Sequence, residues 1–383
     1  MRNFGKTLKT NSHEPQLDGS GRGVTVHLTA CNTDEVPQGT VAYNPQQRTG
    51  EVAPEELFSS IEVITLQCPD EVIVDTGNDL LFDAGIFYLV DRVHRKSVDL
   101  FDRQGGYIGS VRAFGRSGAE YADISGVQPV DSLVAVYSYH NQALCYYDRQ
   151  GGFVRRDSLA YQPLSLLEDG DGYWGYAGYS NTVPSRVVRM DPQGRITREY
   201  LPTAKIIPLM EMNSVFVPHG EELFIREALQ RRIFRIDAAG ELSTFLTFDF
   251  GRWNIPDTYF ESDDPMQAAQ KLMSSDFALM NRFMINNDFT VAEVGFNPNS
   301  DNGTSFSSIG VGHRGAWRWL RADREGPRAL FFSAARALTP DSELVLLTDA
   351  ERLAALKEAC PTLVPDFQAD TDNALVVLCR LKD

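Results

Sequence analysis

The segment Phe101-Asp102-Arg103-Gln104-Gly105 recurs along the chain. It returns as Tyr147-Asp148-Arg149-Gln150-Gly151, as Met190-Asp191-Pro192-Gln193-Gly194 and as Ile236-Asp237-Ala238-Ala239-Gly240. The aspartates are 46, 43 and 46 residues apart. In each copy an apolar residue precedes Asp-x-x-Gly, which is the chemistry of a hairpin turn. The Asp side chain accepts backbone N–H groups where the turn starts, and Gly supplies the positive φ that closes it. Strand-like runs flank the copies, at 97–101 and 107–111, at 143–147 and 153–156, and at 232–236 and 242–246.

Working outward, a further strand precedes each hairpin, at 86–90, 133–137, 173–177 and 222–225, and another apolar run precedes it, as at 80–83 and 214–217. Four strands in 43 to 46 residues is the stride of a propeller blade. Helical periodicity is absent over 61–250, which excludes helical repeats of similar length. A fifth unit, Ala322-Asp323-Arg324-Glu325-Gly326, lies 86 residues after Asp237, or two strides. An insertion at about 252–281 occupies part of that interval. Its residues 265–273 read as a short helix capped by Asp263 or Asp264. Blade five then takes strands at 282–286, 289–296, 305–312 and 317–321. The last blade takes 329–332, 344–347 and the C-terminal strand 375–379, with a decorating helix at 349–359. Closing the ring requires the C-terminal strand to pair with one near the start, such as 61–66, so that only short edges remain. The expected fold is therefore all-β: a six-bladed β-propeller of four-stranded antiparallel blades spanning 40–383, with a short helical insertion. Residues 1–39 read as a disordered or wrongly assigned N-terminal segment.

Composition narrows the partners. The 383 residues carry 52 acidic and 36 basic side chains, for a net charge of −16. No basic surplus exists to replace the counterions of nucleic acid, so nucleic-acid binding is excluded. No apolar run reaches the length of a membrane-spanning helix. The five cysteines, Cys31, Cys68, Cys145, Cys360 and Cys379, are scattered without CxxC spacing, so neither a zinc site nor a disulfide framework is read. Cys145 and Cys379 sit in apolar strand runs as buried free thiols. Residues 1–27 are polar and lack the apolar region of a signal peptide. Even so, Leu28-Thr29-Ala30-Cys31 has the pattern of a bacterial lipobox, which makes Cys31 the candidate for a lipid anchor.

The chain resembles the six-bladed propeller proteins abundant in Bacteroidetes, relatives of the NHL-repeat propellers and commonly lipoproteins of unknown function. The resemblance covers roughly 40–383. It rests on 58–66, on 101–108, on Gly118-Ala119-Glu120-Tyr121, and on the ending from Asp372-Asn373-Ala374 to Lys382. Two departures stand out: a Gly-Pro-Gly-Glu-Tyr segment has lost its Pro and one Gly before Glu120-Tyr121, and Ala374 stands where Asp-Asn-Pro is usual. The resemblance implies a location at the cell envelope, in the periplasm or as an outer-membrane lipoprotein. It carries no catalytic residues to transfer.

In a propeller, loops joining strands two and three share a face with the connections between blades, and that face surrounds the channel mouth. The Asp-x-x-Gly hairpins fall on the opposite face and are structural. Candidate ligand-face residues are Arg92, His94, Arg95 and Lys96; His140 and Asn141; Asn181; and Arg226, Gln230, Arg231 and Arg232. Blade connections add Arg116, Glu120 and Tyr121, and the insertion adds Trp253, Tyr259, Asp263 and Asp264. Basic side chains collect here although the chain is acidic, which suits an anionic or carbohydrate-like ligand. Polar exposed loops alone would give the same pattern. No metal site is assigned: none of the six His residues has ligand spacing, although His94 and His140, one stride apart, share a mouth. No GxSxG elbow or phosphate loop occurs, and no cofactor is implied. Trp317 and Trp319 read as packing rather than as a sugar platform.

These readings favour a non-enzymatic binding or scaffold propeller whose channel-mouth face holds a glycan, a peptide or a protein. The alternative is a metal-dependent propeller enzyme, lactonase- or lyase-like, acting on a sugar-type substrate. A third reading makes the insertion a docking arm.

Overall fold

The structure is a computed structural model that describes residues 39–179, 183–203, 215–256, 259, 264, 266–267, 270–271, 276–296, 305–367 and 373–383. Chain order begins with β1 (Thr40–Ala42), α1 (Pro54–Leu57) and β2 (Phe58–Ile64). Blade 1 is β3 (Asp79–Asp83), β4 (Ile86–Asp91), β5 (Ser97–Asp102) and β6 (Tyr107–Val111). Blade 2 is β7 (Gly126–Val130), β8 (Leu133–Ser138), β9 (Ala143–Tyr147) and β10 (Phe153–Ser158). Blade 3 is β11 (Ser165–Glu168), β12 (Tyr173–Tyr176), β13 (Ser185–Met190) and β14 (Ile196–Pro202). Blade 4 is β15 (Phe216–His219), β16 (Glu222–Ile225), β17 (Arg232–Ile236) and β18 (Leu242–Asp249). Blade 5 is β19 (Ala278–Ile285), β20 (Thr290–Phe296), β21 (Phe306–His313) and β22 (Ala316–Asp323). Blade 6 is β23 (Ala335–Leu338), β24 (Glu343–Thr348) and β25 (Leu375–Leu381), completed by β2. Between β24 and β25 lies α2 (Ala350–Ala359), whose N-cap Asp349 accepts the Arg352 amide. Among the described residues no helix is long and apolar enough to cross a membrane.

The ring closes as expected. β2 lies antiparallel on β25, with Ile61 opposite Cys379 and Val63 opposite Val377. Asn373 reinforces the join, its side-chain oxygen accepting the Val74 amide at 2.8 Å. The Ala374 N–H donates to the Val74 carbonyl, also at 2.8 Å. A proline at 374 has no N–H to give, so the departure from Asp-Asn-Pro adds a bond to the closure.

The repeated hairpins join β5 to β6, β9 to β10, β13 to β14 and β17 to β18. In the first, Asp102 Oδ1 accepts the amides of Gln104 and Gly106. Asp148, Asp191 and Asp237 repeat both bonds. The glycine has a second duty that turn chemistry alone does not show. A Cβ on Gly105 would lie 2.4 Å from the Thr65 carbonyl oxygen, and one on Gly151 2.4 Å from that of Ser110. Each turn thus docks against the blade before it, and the residue must lack a side chain for steric as well as dihedral reasons. The Asp-x-x-Gly at 323–326 is different. It follows β22, the outermost strand of blade 5, and lies in the connection to blade 6; the strand 3–4 turn of that blade is at 314–315.

Two other differences concern elements. Residues 329–331 form a 3-10 turn with buried Ala329, Leu330 and Phe331, and the first strand of blade 6 is β23 instead. The apolar triplet matches a strand in composition, but it fills the core beneath α2 and α1 rather than pairing. Residues 40–42 form β1, a parallel fifth strand on the outer edge of β18. Just beyond it, Tyr43 stacks on Trp319 at 4.1 Å. Trp319 and Trp317 are packing residues on β22. Gly310 and Gly312, opposite them on β21, leave room for the two indole rings, which a Cβ would meet at 2.6 Å. In the insertion, Asp264 accepts the amides of Met266 and Gln267 and caps a helical segment; Asp263 lies outside the described residues.

Candidate functional site

The innermost strands β3, β7, β11, β15, β19 and β23 ring the central channel, each paired on one side only. Pro129 in β7 and Pro218 in β15 are tolerated because an innermost strand is an edge strand, with no partner for the lost N–H. Gln128 ties β7 to β11 by donating to the Glu168 carbonyl and accepting the Glu168 amide. The face that carries the strand 2–3 loops and blade connections is the upper face.

At the upper mouth, between blades 5, 6 and 1, a cavity of about 470 Å³ opens. Arg92, Arg282 and Arg336 enter it from β4's end, β19 and β23, alongside Asp79, Glu293, Asn78, Asn281 and Ser333. Asp79 lies between two of the arginines, 2.9 Å from Arg282 and 3.5 Å from Arg92. Burial alone would raise the Asp79 carboxyl, but Arg282, Arg92 and Arg336 outweigh it and hold the group below the usual carboxylate range. Arg336 donates to the carbonyls of Ser333, Ala335 and Thr76, fastening blade 6 to the start of blade 1. Its Nε is buried without a hydrogen-bond partner among the described residues. Burial, with the like charge of Arg282, lowers the Arg336 pKa.

Glu293 is the most constrained group. It is 1% exposed in the middle of β20, and its Oε1 has no hydrogen-bond partner among the described residues. Burial pushes its carboxyl up to about 7, against the pull of Arg282, Arg336 and the Ala335 and Ala334 amides. The carboxylates at this mouth are otherwise occupied. Asp79 faces arginines, Asp91 accepts the amides of Val93, His94 and Arg95, and Asp75 accepts that of Gly77. Donors are in surplus. A guanidinium has five N–H donors, and Arg282 commits one of them, to Asp79. The cavity is therefore near balance in formal charge but biased towards donors, so an incoming anionic or carbonyl oxygen meets ready partners.

Of the residues singled out from sequence, Arg92 and His94 line this cavity. The others are dispersed. Arg95 pairs with Asp99 on β5, at 3.2 Å, and Lys96 lies over the Phe114 ring. Tyr121 is fully buried and donates its hydroxyl to the Lys96 carbonyl at 2.7 Å; Asn141 donates to the Glu120 carbonyl. The Gly118–Tyr121 motif thus anchors the blade 1 to blade 2 connection. The Glu120 carboxylate accepts the Ser117 amide, and Arg116 is exposed beside it. His140 is exposed, with Nδ1 3.1 Å from Asp123, away from His94's cavity. Arg226 is buried and donates to the Met280 carbonyl. Arg231 borders a separate 30 Å³ crevice with Gln230 and Arg232. Trp253 packs edge-on against Phe296 and Phe306, and Tyr259 joins a small apolar cluster. Asn181 and Cys31 lie outside the described residues. Among the described residues no three His, Cys, Asp or Glu side chains are placed to hold a metal ion. Cys145, Cys360 and Cys379 are buried free thiols, and Cys68 is half-buried.

Arg282, Arg336, Asp79 and Glu293 are the mouth residues that sequence reading passed over. A signal existed for Glu293, a lone carboxylate inside the apolar run Val291-Ala292-Glu293-Val294, since a buried charge needs a partner. Arg336 had no such signal once the strand of blade 6 was placed at 329–332.

A closed ring of six sheets around a channel, each a four-stranded blade and one of them extended by β1, is a six-bladed β-propeller, here with a donor-rich cavity at one mouth. The chain belongs to the family described as Domain of unknown function (DUF4934), which matches residues 40–309. Among solved structures it is similar to a protein of Bacteroides fragilis NCTC 9343 inferred to be exported. The two share 15% identity with a TM-score of 0.71, covering 90% of this chain and 100% of that one. It is also similar to a member of the DUF4221 family from Bacteroides vulgatus, at 10% identity and a TM-score of 0.50, covering 85% of this chain and 99% of that one. At these identities the likeness concerns the fold. No curated protein matches the sequence.

Proposed function

We propose that this chain is a non-enzymatic binding propeller of the bacterial cell envelope that holds a carboxylate-bearing group at its upper channel mouth. The group is a small acid or the terminal carboxylate of a glycan or peptide. The observation that carries this reading is the 470 Å³ cavity into which Arg92, Arg282 and Arg336 project with N–H donors in excess of their internal acceptors. Planar guanidinium groups match carboxylates in two-point geometry, which favours them over other anions. The envelope location is supported by the Bacteroides fragilis neighbour inferred to be exported and by the family resemblance.

Calorimetric titration with glucuronate and with an N-acetylated dipeptide tests the reading. At least one should bind the full chain, and Arg92→Gln or Arg282→Gln should weaken it tenfold or more. Arg92 is the more informative site, because its side chain is 26% exposed and its loss leaves the Asp79–Arg282 pair in place. Equal affinity in wild type and both variants, or no binding of either probe, would overturn it.

A further inference from the structure

Below the charged mouth the channel changes character. A second cavity of about 350 Å³ is lined by all six innermost strands, including Leu81, Val127, Leu166, Val217, Met284 and Ala337. Its lining is mainly apolar: Gln128 is clamped to the Glu168 backbone, Pro129 and Pro218 remove two edge N–H groups, and Asp83, at the end of β3, is the one carboxylate among the described residues of the lining. Arg282 and Arg336 line both cavities and form the boundary between them. These side chains also pack between the blades, and all except the buried Met284 are only partly buried there, so apolar surface is left facing the chamber.

From this juxtaposition of guanidinium groups over an apolar chamber we infer that the channel takes an amphipathic acid, a medium-chain acyl carboxylate. Its head meets Arg282 and Arg336, and its chain runs down the ring axis between the six inner strands. The inference rests on the reading of the mouth as a carboxylate site and adds the chemical nature of the group attached to that carboxylate. Charge complementarity fixes the orientation. The head cannot sit in the chamber, where no cation lies beyond the two boundary arginines, and the chain gains only by leaving water.

The test titrates the full chain with acetate, hexanoate and decanoate, with decanol as the headless control. Each methylene that enters the chamber should tighten binding by about fourfold, the equivalent of burying one CH₂, until the chamber is full. Decanol should bind far more weakly than decanoate. Ala337→Phe, which fills the chamber from β23, should remove the chain-length dependence and leave acetate affinity unchanged. Met284→Trp does the same from β19 if the first variant melts early. If acetate and decanoate bind equally while the mouth still holds acetate or glucuronate, the acyl inference falls and the mouth reading stands. If none of the acids binds, both fall. If chain-length dependence survives in both filled variants, the chain lies elsewhere and the inference is overturned.

Discussion

At the scale of single residues, Glu293 is where folding and binding chemistry meet. Its carboxyl is raised by burial from 4.5 to about 7, so the folded protein keeps a proton that the unfolded chain releases across that window. The unfolded state then binds fewer protons, and stability falls as pH rises from 4.5 to 7, by about 3 kcal/mol over the whole interval. Asp79 acts in the opposite sense. Its depressed carboxyl stabilises the fold above the ordinary carboxylate range, and that contribution is lost in acid. Glu293→Gln should therefore flatten the dependence of the urea midpoint between pH 4.5 and 7 and leave the acid loss intact. An unchanged slope in the variant would assign the effect to another group.

At the scale of elements, the decisive pairing is β2 on β25. It joins the N-terminal part of the chain to the last strand, so the outer edge of blade 6 is covered by a strand from the other end of the sequence. Val63 and Val377 are directly opposite in this register, at a separation typical of antiparallel neighbours that a disulfide can bridge. Val63→Cys with Val377→Cys should oxidise quantitatively. The closed loop is very long, so the gain reaches up to about 5 kcal/mol in the chain-entropy picture. Mass spectrometry of the oxidised protein and its melting temperature check both points. Failure to form the bond would mean that β2 pairs in another register. The hairpin glycines belong to this scale as well: Gly105 and Gly151 serve the turn and the seam between blades at once, so blade stacking and turn geometry cannot vary independently.

At the scale of the whole molecule, the chain carries a net charge of −16 while its mouth is proposed to take an anion. The two fields have different ranges. At about 10 mM salt the screening length is near 30 Å and an approaching carboxylate feels the whole chain; at about 150 mM it is near 8 Å and the ligand feels the mouth. Association of glucuronate or decanoate should accordingly speed up as salt rises between these limits, as followed by stopped-flow fluorescence. A fall in the association rate would mean that attraction at long range, rather than repulsion, governs encounter.

The blade count, the hairpin chemistry, the closure of the ring and the decorating helix were all legible in the order of residues. Each depends on local turn geometry and on strand-length apolar runs, and these repeat at a fixed stride. The site was only partly legible. Arg92 and His94 could be placed at the upper mouth because loop position is set by topology. Arg282, Arg336, Asp79 and Glu293 could not be brought together, since they lie on four strands from three blades and are far apart in sequence. Several other loop residues proved to be committed to backbone carbonyls or to the core, which depends on where a side chain finds its partner. Sequence alone determined that the chain forms a ring of six sheets, because the turns and the pairings within each blade are set by near neighbours and the unpaired strands left at the two ends must then pair with each other. Tertiary structure decided which charged groups share one cavity and that an apolar chamber lies beneath them, because burial and electrostatics act through space rather than along the chain.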